Sequence, residues 1–259
     1  MTLSATFDKA KNFRELLAAV SPLAHECVMQ CSAQGIHLQT MDSAHVALVE
    51  FALFEGAFAE YQCTQNIALG VNLLALQKVL RCGSDSARLT LGAVSDGEEL
   101  SVELKEANGT SRFNVRLLDL DQEQLGIPDT EPEAEVTLSS HEFTSKCKNI
   151  ATLGDEVMLR FARDAITFSV SGDTGNGEIS LNHGETPDCA LIQLNGAEEI
   201  VAKFAMPYLV HFCRGGALSD RVTIKYSTNM PMSVEYDLTM GDVPVGLLRY
   251  FLAPKIEFD

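Results

Sequence analysis

Six histidines (His25, His37, His45, His141, His183 and His211) and seven cysteines are the residues of this chain best suited to nucleophilic or metal chemistry. Their spacing serves neither. No H-E-x-x-H places two imidazoles on one face of a helix, and no Cys/His set has zinc-type spacing. His25-Glu26-Cys27 is a local cluster of ligand types, but strand alternation leaves His25 at a strand edge. Segment 172–177, GDTGNG, is glycine-rich like a phosphate cradle. It lacks the Lys-Ser/Thr that would follow, and no helical pattern continues from it, so it reads as a hairpin turn. No G-x-S-x-G occurs, and no carboxylate pair stands out from the acidic background; Asp119–Asp121 reads as solvated linker. These absences lower the expectation of an enzyme and imply no metal or organic cofactor.

The chain has 259 residues, of which 46% are hydrophobic and 21% charged, an ordinary globular composition. With 19 Lys+Arg against 36 Asp+Glu, the net charge is -17. That excludes a uniformly basic nucleic-acid binder and argues against docking on anionic membrane. No apolar run is long enough to span a bilayer, and the first residues show no secretory h-region. Seven cysteines, odd in number and without C-x-x-C, read as small buried hydrophobes in a reducing compartment.

Helical spacing appears four times. Residues 9–20 place Phe13, Leu16, Leu17 and Val20 on one face, with Asp8 as candidate N-cap. Residues 72–82 repeat the pattern with Leu73, Leu76, Val79 and Leu80, and Gly83 is the candidate C-cap residue. Residues 141–152 and 207–217 complete the set. Between them run short alternating segments: two or more over 27–54, with Gln34-Gly35 as a turn, then 66–71, 87–92, 98–105 and 110–117. Asp96-Gly97 and Asn108-Gly109 supply further hairpin turns. In the second half, strands are expected at 156–162, 165–171, 176–182, 199–205, 221–227, 231–238 and 244–250. Residues 118–135, LDLDQEQLGIPDTEPEAE, keep no period and read as a linker with one apolar island at Leu125, Ile127 and Pro128.

The order of elements repeats across that linker. Residues 30–38 align with 160–168 at an offset of 130, as Phe13 does with Phe143, while 72–74 align with 207–209 at 135. One fold used twice is therefore expected, with domains at 1–117 and 136–259 joined by a connector at 118–135.

Four stretches stand out together: LQTMDSAHVAL at 38–48, NIALGVN at 66–72, LLDLDQEQLGIP at 117–128 and YFLAPKI at 250–256. The set resembles the proliferating cell nuclear antigen family, the eukaryotic DNA sliding clamps, over essentially the whole chain. The resemblance implies an α+β clamp fold: two similar domains, each with two helices and antiparallel sheets, assembling as a closed homotrimeric ring. It implies a nuclear, non-enzymatic processivity factor for replication and repair, without cofactors. Its partners would be double-stranded DNA, held topologically and without sequence preference, and polymerases, a clamp loader, nucleases and ligase carrying clamp-binding peptides. A subunit of a heterotrimeric checkpoint-type clamp is the alternative; an enzyme on a duplicated β scaffold is the reading from another class.

Carried across by position, the DNA-facing residues are Lys9, Lys11, Arg14, Lys78, Arg81, Lys146, Lys148, His211 and Arg214. The four expected helices hold eight Lys/Arg and two acids, a net +6, which leaves -23 for the rest. The client-peptide pocket is Met41, His45, Val46, Leu48, Leu125, Gly126, Ile127, Pro128, Ala205, Pro231, Phe251, Ala253, Pro254 and Ile256. The trimer interface is Phe113, Val115 and Leu117 against Gly177, Ile179 and Leu181. Departures from the family pattern also fall at defined places. The usual site of ubiquitin-type attachment is Arg163, whose guanidinium cannot form the amide. A pocket tyrosine is Phe251, a linker tyrosine is Pro132, and Pro207 replaces a basic residue.

Overall fold

A computed structural model describes residues 1–121, 125–127, 130–173, 175–184, 189–196 and 198–255. Two compact units emerge. The first holds Met1–Ser43, Val49–Gly126 and Leu238–Leu248; the second holds Ala44–Leu48, Ile127–Asp237 and Arg249–Asp259.

In chain order the first half contains β1 (Leu3–Phe7), α1 (Ala10–Val20), β2 (Glu26–Ser32), β3 (Gly35–Met41) and β4 (Ala47–Phe54). It continues with β5 (Glu60–Cys63), β6 (Ile67–Asn72), α2 (Leu73–Leu80), β7 (Arg88–Ala93), β8 (Glu99–Glu106) and β9 (Gly109–Arg116). The second half repeats this series: β10 (Ala134–Ser139), α3 (Ser140–Ile150), β11 (Glu156–Ala162), β12 (Ala165–Gly172), β13 (Gly175–Asn182), β14 (Leu191–Leu194), β15 (Glu199–Ala205) and α4 (Met206–Phe212). After α4 come a 3-10 turn at Cys213–Ala217, β16 (Arg221–Tyr226), β17 (Met232–Met240) and β18 (Val243–Leu252). The offset of 130 seen in the sequence carries the bounds of α1 onto those of α3, and those of β2 onto β11.

Sheet order repeats as well. β5-β1-β7-β8-β9 in the first half has its counterpart in β14-β10-β16-β17-β18, and β4-β3-β2-β6 in β13-β12-β11-β15. β1 pairs antiparallel with both β5 and β7, and β11 with both β12 and β15. In the first unit, the Val243–Leu248 part of β18 lies along β4. There a Cβ on Gly246 would stand 2.4 Å from the Ala52 carbonyl oxygen.

The helices are amphipathic for the expected reason. Phe13, Leu16, Leu17 and Val20 are all buried, as are Leu73, Leu76 and Leu80 on α2 and Phe143, Cys147 and Ile150 on α3. Their starts follow a rule that the sequence did not display. The first N–H of each helix is taken by a backbone carbonyl from a distant loop: Ala10 by Ala87 at 2.7 Å, Leu73 by His25 at 2.8 Å, Ser140 by Asp220 at 2.9 Å and Met206 by Asp155 at 2.9 Å. Asp8 is therefore not the cap of α1; Lys9 holds that position and makes no side-chain cap. Only α2 has a side-chain cap, Asn72, whose Oδ1 accepts from the Ala75 N–H at 2.9 Å.

Several boundaries move for physical reasons. α2 ends at Leu80, and Arg81 is its C-cap. Gly83 does not carry a positive φ; its small size matters because a Cβ would come within 3.1 Å of the Leu104 side chain. The helix expected over 207–217 splits into α4 and the 3-10 turn. A Cβ on Gly215 would overlap the Tyr236 ring at 2.4 Å, and Tyr236 donates its hydroxyl to the Phe212 carbonyl at 2.9 Å. The second domain-opening strand, β10, takes its first residues from what reads as linker. β1, β5, β10 and β14 were not expected at all.

Gly35 opens β3 with φ +139, and a Cβ there would sit 1.9 Å from the Leu53 carbonyl oxygen. Replacing it strains the backbone and forces β4 away. Gly35→Ala should lower unfolding free energy by about 2 kcal/mol or more, read as a drop in the urea midpoint. An unchanged midpoint would contradict the close approach.

Candidate functional site

The connector is held by its backbone. Gln39, on β3 and 5% exposed, donates from Nε2 to the Leu125 carbonyl at 3.0 Å and accepts the Leu125 N–H on Oε1 at 2.8 Å. One amide thus satisfies both main-chain groups of a residue 86 positions away. The Leu125 side chain takes no part in this and is 44% exposed. Upstream, Leu118 forms a bridge with Gly70, its N–H meeting the Gly70 carbonyl at 2.8 Å. In the first unit, Leu125 and Gly126 are exposed and Met41 is half-buried.

The second unit contributes its own cluster. The Ala253 N–H donates to the Val46 carbonyl at 3.1 Å, and the Lys255 N–H to the Lys203 carbonyl at 2.8 Å. Lys255 also pairs with Glu156 through its side chain, which holds the Glu156 carboxyl below the usual range. These contacts seat the segment after β18 between residues 44–48 and the end of β15. Of the second unit's residues expected at the pocket, Val46, Ile127, Ala205, Phe251, Ala253 and Pro254 are half-buried, and His45 and Pro231 are exposed. Leu48 differs from the expectation: at 7% exposure it belongs to the core. Pro128 and Ile256 lie outside the described residues.

The basic residues divide into free and neutralised groups. Arg14 pairs with Asp85 and also donates to the Gly83 carbonyl at 3.4 Å. Lys11 meets Glu15 at 3.5 Å, and Lys146 meets Glu142 at 2.9 Å. The Lys146 ammonium holds the Glu142 carboxyl below its ordinary range. Exposed Lys9, Lys78 and Arg81 in the first unit, and Lys148 and Arg214 in the second, have no ion pair among the described residues. His211 is half-buried, and burial, reinforced by the Arg214 guanidinium, lowers its pKa below that of a free histidine. Both effects disfavour the charged imidazole.

Among the described residues, β9 and β13 each pair on one side only, with β8 and β12. Phe113, Leu117, Gly177 and Ile179 are half-buried along them, while Val115 and Leu181 turn into their own cores.

The pattern of the N-terminal domain of proliferating cell nuclear antigen matches residues 2–124, and that of the C-terminal domain matches residues 126–255. The chain belongs to this family. It is also 37% identical, over 262 aligned residues, to the proliferating cell nuclear antigen of Chaetomium thermophilum, with 99% of each chain covered. Family membership makes it a DNA sliding clamp rather than an enzyme. Its partners are duplex DNA, copies of itself, and polymerases and other replication and repair factors. Among the described residues, no group of three His, Cys, Asp or Glu side chains could hold a metal ion, and no helix is long and apolar enough to cross a membrane. Four of the seven cysteines are buried as expected, but Cys82 is exposed.

Sequence reasoning missed Gln39 although it lies within LQTMDSAHVAL, because its partner is a backbone and leaves no complementary residue type to find. It likewise missed Asp85, whose pairing with Arg14 depends on a loop closing over α1.

Two outcomes are expected. Gln39→Ala removes both connector bonds and should speed amide exchange and proteolysis at Leu125 at least tenfold, with little change in global melting. At pH 7, His211→Ala should leave DNA association unchanged, while Arg214→Ala weakens it and flattens its salt dependence.

Proposed function

We propose that the chain closes into a head-to-tail homotrimeric ring whose helices face duplex DNA, and that client peptides dock on the apolar surface around its connector. The observation that carries the ring is a symmetry in the sheets. β18 is the counterpart of β9, and β4 is the counterpart of β13. β18 and β4 lie side by side within one chain, whereas β9 and β13 are open edges. The same pairing for β9 requires the β13 of another copy. A heterologous contact of this kind closes when its rotation divides a full turn. Three copies would supply six repeated domains.

Lys78, Arg81 and Lys148 act as long-reach phosphate contacts that read no bases. Few such contacts, each exposed to solvent and salt, let the ring move along the duplex while closure retains it. Leu125 and Ile127, with Met41, Val46, Ala205, Phe251, Ala253 and Pro254, receive the anchors of a short helical client segment. Acidic surroundings favour basic flanks on those segments and speed encounter. Function of this kind places the protein in the nucleus. The full-length match to a replicative homologue supports this reading over a checkpoint-type subunit, which would need different partner chains to close.

Two experiments test it. Ile179→Glu with Phe113→Asp should convert the trimer to smaller species by light scattering; an intact trimer would remove these edges from the interface. Leu125→Ala with Ile127→Ala should weaken a fluorescent clamp-binding peptide by a hundredfold or more while the trimer persists. Unchanged affinity would refute the groove.

A further inference from the structure

We propose that Cys147 and Cys213 form an oxidation site in the second unit, where peroxide joins them in a disulfide that ties α3 to the turn after α4 and thiol reductants release it. This site does not depend on the clamp reading.

Four observations put the two thiols together. Cys147 lies on the buried face of α3, and Cys213 opens the 3-10 turn packed on it. One helical turn before Cys147, Thr144 Oγ1 donates to the Cys213 carbonyl at 3.5 Å. The next residues hold the turn close: a Cβ on Gly216 would stand 3.3 Å from the Ser140 Cβ and 3.4 Å from Thr144 Oγ1. The Cys147 and Cys213 side chains are near enough that each shifts the other's pKa. On the other side, the Tyr236 hydroxyl fixes the Phe212 carbonyl, so the turn is anchored at its start.

The pair is chemically asymmetric. Burial drives the Cys147 thiol well above its ordinary range. Cys213 is shifted down, first by Cys147 and further by the Thr144 hydroxyl and the Lys148 ammonium, against the opposing effect of burial. Cys213 is also the more accessible, at 5% exposure against 0% for Cys147. It is therefore the attacking thiolate and Cys147 the resolving thiol.

The steps balance. The Cys213 thiolate attacks one peroxide oxygen, the O–O bond breaks, and hydroxide leaves, giving a sulfenic acid. Cys147 gives its proton to that hydroxide, forming water, and its sulfur attacks the Cys213 sulfur. The S–S bond forms, the S–O bond breaks, and the departing hydroxide takes a solvent proton as a second water. Two thiols lose two electrons, and one hydrogen peroxide gains them.

The other cysteines are less well placed. Burial pushes Cys27 up to about 12, and Cys31 likewise, with Cys63 adding to the shift. Cys82 is exposed and makes its one described bond to the Lys78 carbonyl at 3.6 Å.

The test uses the purified full-length chain, treated with hydrogen peroxide, alkylated, digested without reductant and analysed by mass spectrometry. A peptide pair joining Cys147 to Cys213, two hydrogens lighter than its parts and lost with dithiothreitol, is expected. If both thiols stay alkylatable while Cys82 oxidises, or if either joins a different cysteine, the proposal fails. In Cys213→Ser, Cys147 should stay alkylatable under the same treatment. Loss of its thiol there at the unsubstituted rate would overturn the assigned roles.

Discussion

An unpaired strand edge presents a row of N–H and C=O groups that either find a partner or remain a template for uncontrolled association. This constraint organises the molecule. Duplication produces four outer edges of one kind, on β9, β18, β4 and β13. A single chain can satisfy two of them by laying β18 along β4, and it leaves the other two with matching chemistry and no local partner. The alternation along β9 and β13 fits that role. Val115 and Leu181 anchor each strand to its own core, while Phe113 and Ile179 stay partly exposed at the same edge. An edge strand anchored by one side chain and open at its neighbour is stiff enough to pair in a fixed register.

The charge distribution follows from the same architecture. Net charge of -17 averages over segments of opposite charge. Counting residues in helical segments gives +6, but three of the eight basic side chains are already engaged by Asp85, Glu15 and Glu142. The usable positive charge lies on Lys9, Lys78, Arg81, Lys148 and Arg214. A smaller set of exposed cations suits a surface that must attract phosphate without arresting on it, since each exposed contact is weak and exchanges readily with counterions. Burial of His211 acts in the same direction by disfavouring its charged form.

Much of this was legible from residue patterns. Period 3.6 located the helices, and a single offset aligned α1 with α3 and the β2–β3 hairpin with β11–β12. What stayed hidden was decided by backbone partners. Asp8 looked like a cap because Asp often is one, yet the Ala87 carbonyl fills that role from a loop far along the chain. β10 alternates well, with every second residue buried, but it begins within an acidic, proline-containing stretch whose composition outweighed the period. β5 is short and half-polar, so no periodic signal could accumulate. The burial of Leu48 was not readable from its motif. Strand alternation alone cannot say which of two faces becomes core.

Leu125 shows how an apolar side chain can remain exposed beside a restrained backbone. A leucine fixed by packing would lose its surface to whatever held it. Here the restraint acts on the main chain instead: Gln39 replaces the two hydrogen bonds that a neighbouring strand would provide. The Leu125 backbone is already restrained, so under the proposed docking less of the binding energy would be consumed in ordering it. Meanwhile the Leu125 side chain keeps its apolar surface available for burial against the proposed client. A buried amide that clamps a backbone thus does for the connector what β4 does for β18. Both satisfy main-chain polar groups in fixed positions.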